Sequence, residues 1–211
     1  MPQQQLTQDE ITDILFDDSE KGVSEKRFKE LWLADLPGQP GVHYRDRFEW
    51  SEHCYKLASK YHTSFVVWWS PIKFDWDNCS YQLAHYCRDY FHRWWNSDRF
   101  NYGRGSEPLA ETCYEYCVEW FDSQKFNWES VGGFLPAACG RRLAKRFDEW
   151  FDKETFDYGN GSALLAKYCS EHIAKWYDVD LFNWEYGQLL KEYCSGHHDE
   201  LWNADYIIKM V

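Results

Sequence analysis

Three groups of residues in this chain have types and spacings suited to chemistry. The first is eight cysteines, the raw material of disulfides, thiolate nucleophiles and zinc sites. Five of them, Cys87, Cys113, Cys139, Cys169 and Cys194, recur at nearly even intervals, and the stretch CSGHH adds His197 and His198 beside Cys194. The second group is YGRGS (102–106) and YGNGS (158–162), which are glycine-rich like phosphate loops but follow no predicted strand. The third is a row of carboxylates, Glu107, Glu111, Glu115 and Glu119, with Asp122 and Glu129 beyond it. Four-residue spacing on an α-helix places successive carboxylates about 6 Å apart along one face. Like charges at that spacing destabilise a helix by a few tenths of a kcal/mol per pair, so the row requires something to offset it.

The elements that position these groups are legible from a period. The motif WFDSQKFNW (120–128) returns as WFDKETFDY (150–158) and WYDVDLFNW (176–184). Its opening tryptophan falls at Trp68, Trp94, Trp120, Trp150, Trp176 and Trp202, in steps of 26, 26, 30, 26 and 26 residues. Six residues after each comes Phe74, Phe100, Phe126, Phe156, Phe182 and finally Ile208. A fixed period in the twenties predicts an all-α helical-repeat solenoid of about six 26-residue units. Within one unit, Leu83, Ala84, Cys87, Tyr90, Phe91, Trp94 and Trp95 trace a single face of a helix about four turns long. Ser80, Ser106 and Ser162 stand where that helix should be capped, with Gly103, Gly105, Gly159 and Gly161 in the preceding turn. The Phe-x-Trp piece reads as a turn or 3₁₀ segment, with a three-residue strand as the alternative. In the 30-residue step, Pro136 predicts a longer loop and a helix that starts late.

Residues 1–47 read as an N-terminal helical cap, 48–205 as the repeats and 206–211 (YIIKMV) as a C-terminal cap, within one structural domain overall. Thr7 and Glu10 form a capping-box pattern, Ser24 caps a second helix, and LPGQPG breaks the chain. The cap is expected to cover Val66 and Val67. In period and helix-plus-turn logic the chain resembles the leucine-rich-variant type of helical solenoid, and this implies architecture alone.

The period also weighs the chemistry. Equivalent positions on stacked helices lie roughly 10 Å apart, beyond disulfide reach, so all eight cysteines are expected to be reduced core residues. No CxxC pair, nucleophile elbow or HExxH occurs. We therefore expect no metal, no cofactor and no catalysis, with a cysteine or metal enzyme the least favoured alternative. The opening MPQQQLTQDEITDILFDD resembles no signal peptide and no stretch is long enough to span a bilayer, which predicts a soluble cytoplasmic protein. A net charge of −12 disfavours direct binding to nucleic acid or anionic membrane and suits a basic partner.

Two readings of the acidic row follow. In one, neighbouring helices supply counter-charge through Glu115–Lys145 and Arg93–Glu119. In the other, Glu107, Glu111, Glu115, Glu119, Asp122 and Glu129 imitate a phosphate backbone and engage a basic, nucleic-acid-handling protein. An acidic inhibitor of the phage or mobile-element counter-defence type, or a toxin-immunity protein, fits the second. A ligand or carbohydrate binder using Trp50, Trp76, Trp128 and Trp184 as a stacking ladder is the alternative from another class. The solenoid expectation has a direct check in small-angle scattering. The radius of gyration should exceed the roughly 17 Å of a compact globule of this length, and a match to that value would overturn it.

Overall fold

The computed structural model describes residues 5–17, 22–131, 135 and 137–197. Trp202, Ile208, Pro136, His198 and the expected C-terminal cap lie outside them. The described chain is mostly helical and divides into two compact units, residues 1–101 and 102–211.

In the first unit, α1 (Gln8–Phe16) begins with the expected capping box. Glu10 N–H donates to Thr7 Oγ1 (3.3 Å), and Thr7 N–H donates to Glu10 Oε2 (2.8 Å). Ser24 caps α2 (Glu25–Trp32) through Arg27 N–H. Where only a chain break was expected, LPGQPG folds into a small antiparallel hairpin, β1 (Asp35–Leu36) and β2 (Gln39–His43). Gly38 turns it with φ 73°, a left-handed conformation that costs glycine little. Then come α3 (Tyr44–Arg47), α4 (Trp50–Lys60), α5 (Phe65–Trp68), α6 (Trp76–Tyr86) and α7 (Phe91–Trp94). The N-terminal helices do not cover Val66, which is 56% exposed. They pack on Tyr61 instead: its ring stacks on Phe28 at 4.3 Å, and its hydroxyl donates to the Leu15 carbonyl at 2.7 Å.

The second unit runs α8 (Tyr102–Thr112), α9 (Cys117–Trp120), α10 (Ala137–Leu143), α11 (Phe147–Trp150), α12 (Tyr158–Tyr168), α13 (Ile173–Trp176) and α14 (Gly187–Tyr193). As Pro136 implied, α10 starts late and has only 7 residues. Gly140 on α10 faces Leu164 of α12 so closely that a Cβ would collide with the leucine side chain.

The single four-turn helix expected per segment is broken. An 11-residue helix such as α6 ends at Cys87, a 3₁₀ turn (Arg88–Tyr90) follows, and a one-turn helix (α7) closes the segment. The break recurs at Tyr61, Cys113, Leu143 and Cys169, and each time the tryptophan seven residues later closes it. Trp68, Trp94, Trp120, Trp150 and Trp176 donate indole N–H bonds of 2.8–3.0 Å to the carbonyls of Tyr61, Cys87, Cys113, Leu143 and Cys169. Cys139 therefore does not share the position of Cys87, Cys113 and Cys169, because the four extra residues put Leu143 there.

Two other expectations are corrected. Ser80, Ser106 and Ser162 are not caps but buried residues one turn inside α6, α8 and α12, and the glycines beside them are helical. The caps are Asp75 and Asp157, which accept from Asn78 and Asn160 N–H. Each serine donates to the carbonyl four residues back and accepts the N–H of the next segment's asparagine: Asn101 to Ser80 (3.0 Å), Asn127 to Ser106 (2.9 Å), Asn183 to Ser162 (3.0 Å). No strand forms at Phe-x-Trp among the described residues; the Phe closes a turn and Trp76, Tyr102 and Tyr158 open helices.

The second correction concerns the thiols. Cys54 and Cys79 form a disulfide between α4 and α6, leaving six free cysteines, all buried. These two are separated by 25 residues rather than the 26 of equivalent positions, and their Cα atoms lie 6.4 Å apart, within disulfide reach. Closing a loop of this length stabilises by about 3 kcal/mol through the unfolded chain.

The buried tryptophans generate a stability prediction. Trp120, 1% exposed, fills the core and supplies the indole donor to Cys113. Trp120→Ala should cost about 3–5 kcal/mol in urea unfolding. Trp120→Phe, which keeps a ring but loses the donor, should cost markedly less. Equal losses would show that cavity and hydrogen bond are not separable in this way.

Candidate functional site

Helix α8 carries Glu107 and Glu111, the 3₁₀ turn at Tyr114–Tyr116 carries Glu115, and α9 carries Glu119; all four are exposed. They do not form the straight row that four-residue spacing implied. The break at Cys113 inserts a turn with three residues per revolution, which rotates Glu115 and Glu119 away from the line of Glu107 and Glu111. Two pairs of carboxylates result, one on each side of the break. Between residues 102 and 129 the chain holds six acids (Glu107, Glu111, Glu115, Glu119, Asp122, Glu129) and two bases (Arg104, Lys125), a local balance of −4.

Asp122 does not belong with the others. It is half-buried, its Oδ1 accepts the N–H of Gln124 (3.0 Å), and its carbonyl accepts those of Lys125 and Phe126. Asp152 and Asp178 repeat this turn with Glu154 and Asp180, so Asp122 is a turn-forming residue. Glu129 is exposed and opens a short 3₁₀ turn.

Among the described residues no ion pair joins Glu115 to Lys145. Ion pairs between adjacent segments form instead at Lys175–Asp148 (2.6 Å to Oδ2) and Lys153–Asp178 (2.9 Å). Arg146 grips Glu149 through two bonds and also donates to the carbonyls of Val118 and Phe121 at 3.3 Å. The hydrogen bonds from Lys175, Arg146 and Lys153 hold the carboxyls of Asp148, Glu149 and Asp178, respectively, below their ordinary range. Sequence reasoning missed these pairs because it compared identical positions; their separations of 25 and 27 residues were the available signal.

The other candidates are placed as follows. Trp76 is buried, and Trp50, Trp128 and Trp184 are half-buried. Trp76, Trp128 and Trp184 donate to the carbonyls of Pro71, Ser123 and Val179, five residues earlier, and their rings pack edge-on against the motif phenylalanines. YGRGS and YGNGS are helical turns rather than loops. Among the described residues, no group of three or more His, Cys, Asp or Glu side chains is placed to hold a metal ion, and no helix is long and apolar enough to cross a membrane.

No protein-family model, curated protein or solved structure matches this chain.

The ion pairs set an acid response. A carboxyl depressed in the folded state contributes stability above its unfolded pKa of about 4 and loses it as pH falls through the depressed folded value. The melting temperature should therefore drop below about pH 4. Asp148 and Glu149 are exposed and Asp178 is half-buried, so the drop should be small and muted by salt. Lys175→Met should flatten that part of the curve, and an unchanged slope would remove Asp148–Lys175 from the account.

Proposed function

We propose that the protein is a non-catalytic binding protein whose 26-residue segments stack as a solenoid and whose acidic surface engages a basic protein partner. The observation that carries this reading is the set Glu107, Glu111, Glu115, Glu119 and Glu129. These residues are exposed and crowded into one short stretch, and Glu107, Glu111, Glu115 and Glu129 have no ion pair among the described residues. Such crowding is unfavourable in the isolated protein, and a cationic partner relieves it. The Ser–Asn bonds between successive segments support the stacking, since each ties the start of one helix to the interior of the preceding one.

A basic partner of the nucleic-acid-handling kind fits five separated carboxylates, because such proteins display cationic side chains spaced to meet phosphates. An acidic inhibitor of the counter-defence or toxin-immunity type is the role this suggests; charge and fold supply only an analogy for it. The proposed setting is the cytoplasm. Disulfides are characteristic of oxidising compartments, so this placement relies on the burial of Cys54 and Cys79 (0% and 2% exposed), which shields their bond from thiolate attack.

Capture from a lysate of the native host, with bound proteins identified by mass spectrometry, tests the reading. Basic proteins should be enriched at low salt and depleted as ionic strength rises, because exposed charge is screened within about 8–10 Å at physiological salt. Glu107→Lys with Glu111→Lys should abolish that enrichment while leaving the melting temperature within a few degrees. Retention of the same partners by the double variant would falsify the assignment of this surface.

A further inference from the structure

A groove recurs where the tryptophan of Phe-x-Trp meets the end of the next one-turn helix, and its two copies differ in the residues that would recognise a ligand. In the second unit the groove, about 240 Å³, is lined by Trp128, Glu149, Trp150, Phe151, Asp152 and Thr155, among others. In the first unit the equivalent groove, about 210 Å³, is lined at the same positions by Trp50, Val67, Trp68, Trp69, Ser70 and Lys73, and Trp32, Arg45 and Asp46 complete it. The aromatic framework is common to both. The charges are reversed: Glu149 and Asp152 in one copy become Val67 and Ser70 in the other, and Thr155 becomes Lys73.

The hydrogen bonding differs as well. Trp128 N–H is taken by the Ser123 carbonyl, as Trp76 and Trp184 are by the carbonyls five residues before them. For Trp50 that position is Arg45, where the chain forms α3 rather than a turn, and the buried Trp50 Nε1 has no acceptor among the described residues. A buried donor without an acceptor is a costly arrangement that a ligand oxygen can relieve. Beside it stand two cations. Among the described residues, Lys73 is exposed with no ion pair, and Arg45 pairs only with the neighbouring Asp46, at 3.8 Å. Both ring walls and donors are present, whereas the only anionic side chain in the lining is Asp46.

We infer that this groove is a binding site for a small organic anion, a carboxylate on an aromatic or apolar body. The carboxylate accepts from Trp50 Nε1 and pairs with Lys73 and Arg45, while its body lies against Trp69 and Val67. The cavity is smaller than those that enclose drug-sized molecules, and this limits the ligand to one ring or a short chain. The charge-assisted bonds fix the anionic end, and the indole walls select a non-polar remainder. The site uses residues of the first unit alone and involves none of the acidic surface.

Phenylacetate is a suitable probe, followed through indole N–H signals in a ¹H–¹⁵N titration of the full chain. Trp50→Phe identifies the Trp50 signal. That signal should shift saturably at millimolar phenylacetate or below, while the Trp128 signal stays in place. Acetate, lacking the ring, and phenethylamine, carrying the opposite charge, should each bind at least about tenfold more weakly. Lys73→Gln should weaken phenylacetate binding by about tenfold, and Arg45→Gln gives an independent second variant at an exposed position. Three results would each overturn the site: no saturable shift of Trp50 up to about 10 mM, phenethylamine binding as tightly as phenylacetate, or affinity unchanged in both the Lys73 and Arg45 variants.

Discussion

The rest of the structure depends on an indole hydrogen bond made across a broken helix. Each long helix stops with a residue whose carbonyl would continue the α ladder had the chain not tightened into a 3₁₀ turn. The tryptophan seven residues on returns its N–H to that carbonyl, at 2.8 Å from Trp94 to Cys87. That carbonyl also accepts the N–H of Tyr90, three residues on, at 3.0 Å, so the indole is its second donor, and the buried ring packs beside the bend. Its position fixes the next element too, because the phenylalanine six residues later stacks on it, with ring centroids 5.9 Å apart for Trp94–Phe100 and 5.7 Å for Trp120–Phe126. The residue at the break is small where it is Cys87, Cys113 or Cys169, each fully buried. A small hydrophobe there leaves room for the large ring above it.

Junctions between segments show a second regularity. Where the earlier segment offers a serine, the later one answers with an asparagine: Ser80 with Asn101, Ser106 with Asn127, Ser162 with Asn183. Each asparagine also donates its amide to a carbonyl of the earlier helix, at 2.7 Å from Asn101 to Asp77. Where the serine position holds Cys54, the answering residue is Asp75, and it caps its own helix. At the Cys54 junction the disulfide to Cys79 supplies the tie that serine and asparagine supply elsewhere. A covalent link and a buried hydrogen bond thus serve the same purpose at homologous places, and the link falls in the unit that also carries the N-terminal helices.

With the framework fixed in this way, the surface is free to vary, and charge is where it varies most. Asp148, Glu149 and Asp178 are matched by Lys175, Arg146 and Lys153, whereas Glu107, Glu111, Glu115 and Glu129 are exposed without an ion pair among the described residues. The groove beside Trp50 is cationic and its homologue beside Trp128 is acidic, although both rest on the same rings. Differences of this kind between copies of one scaffold are a sound guide to binding, because the scaffold itself cancels in the comparison. They underlie both functional readings, a basic protein on the acidic stretch and a small carboxylate in the first-unit groove.

Helical class, the 26-residue spacing of the buried aromatics, the Thr7–Glu10 and Ser24 caps and the late start after Pro136 were determined by the sequence alone, because each rests on local geometry or on a period. Exposure of the acidic row was legible for the same reason, since its members fall off the apolar stripe. Tertiary structure decided the rest. The helix break was hidden because one 3₁₀ turn leaves the 3.6-residue pattern nearly intact, and the indole that bridges it comes from seven residues away. Ser80, Ser106 and Ser162 were misplaced because a serine near a helix start has the same local signature whether it caps that helix or receives the next segment. The Cys54–Cys79 bond and the Lys175–Asp148 and Lys153–Asp178 pairs join positions offset from one another, and only the packing of adjacent helices sets that offset. Trp50 reads like every other motif tryptophan, and it lacks an acceptor only because α3 replaces the turn that provides one elsewhere.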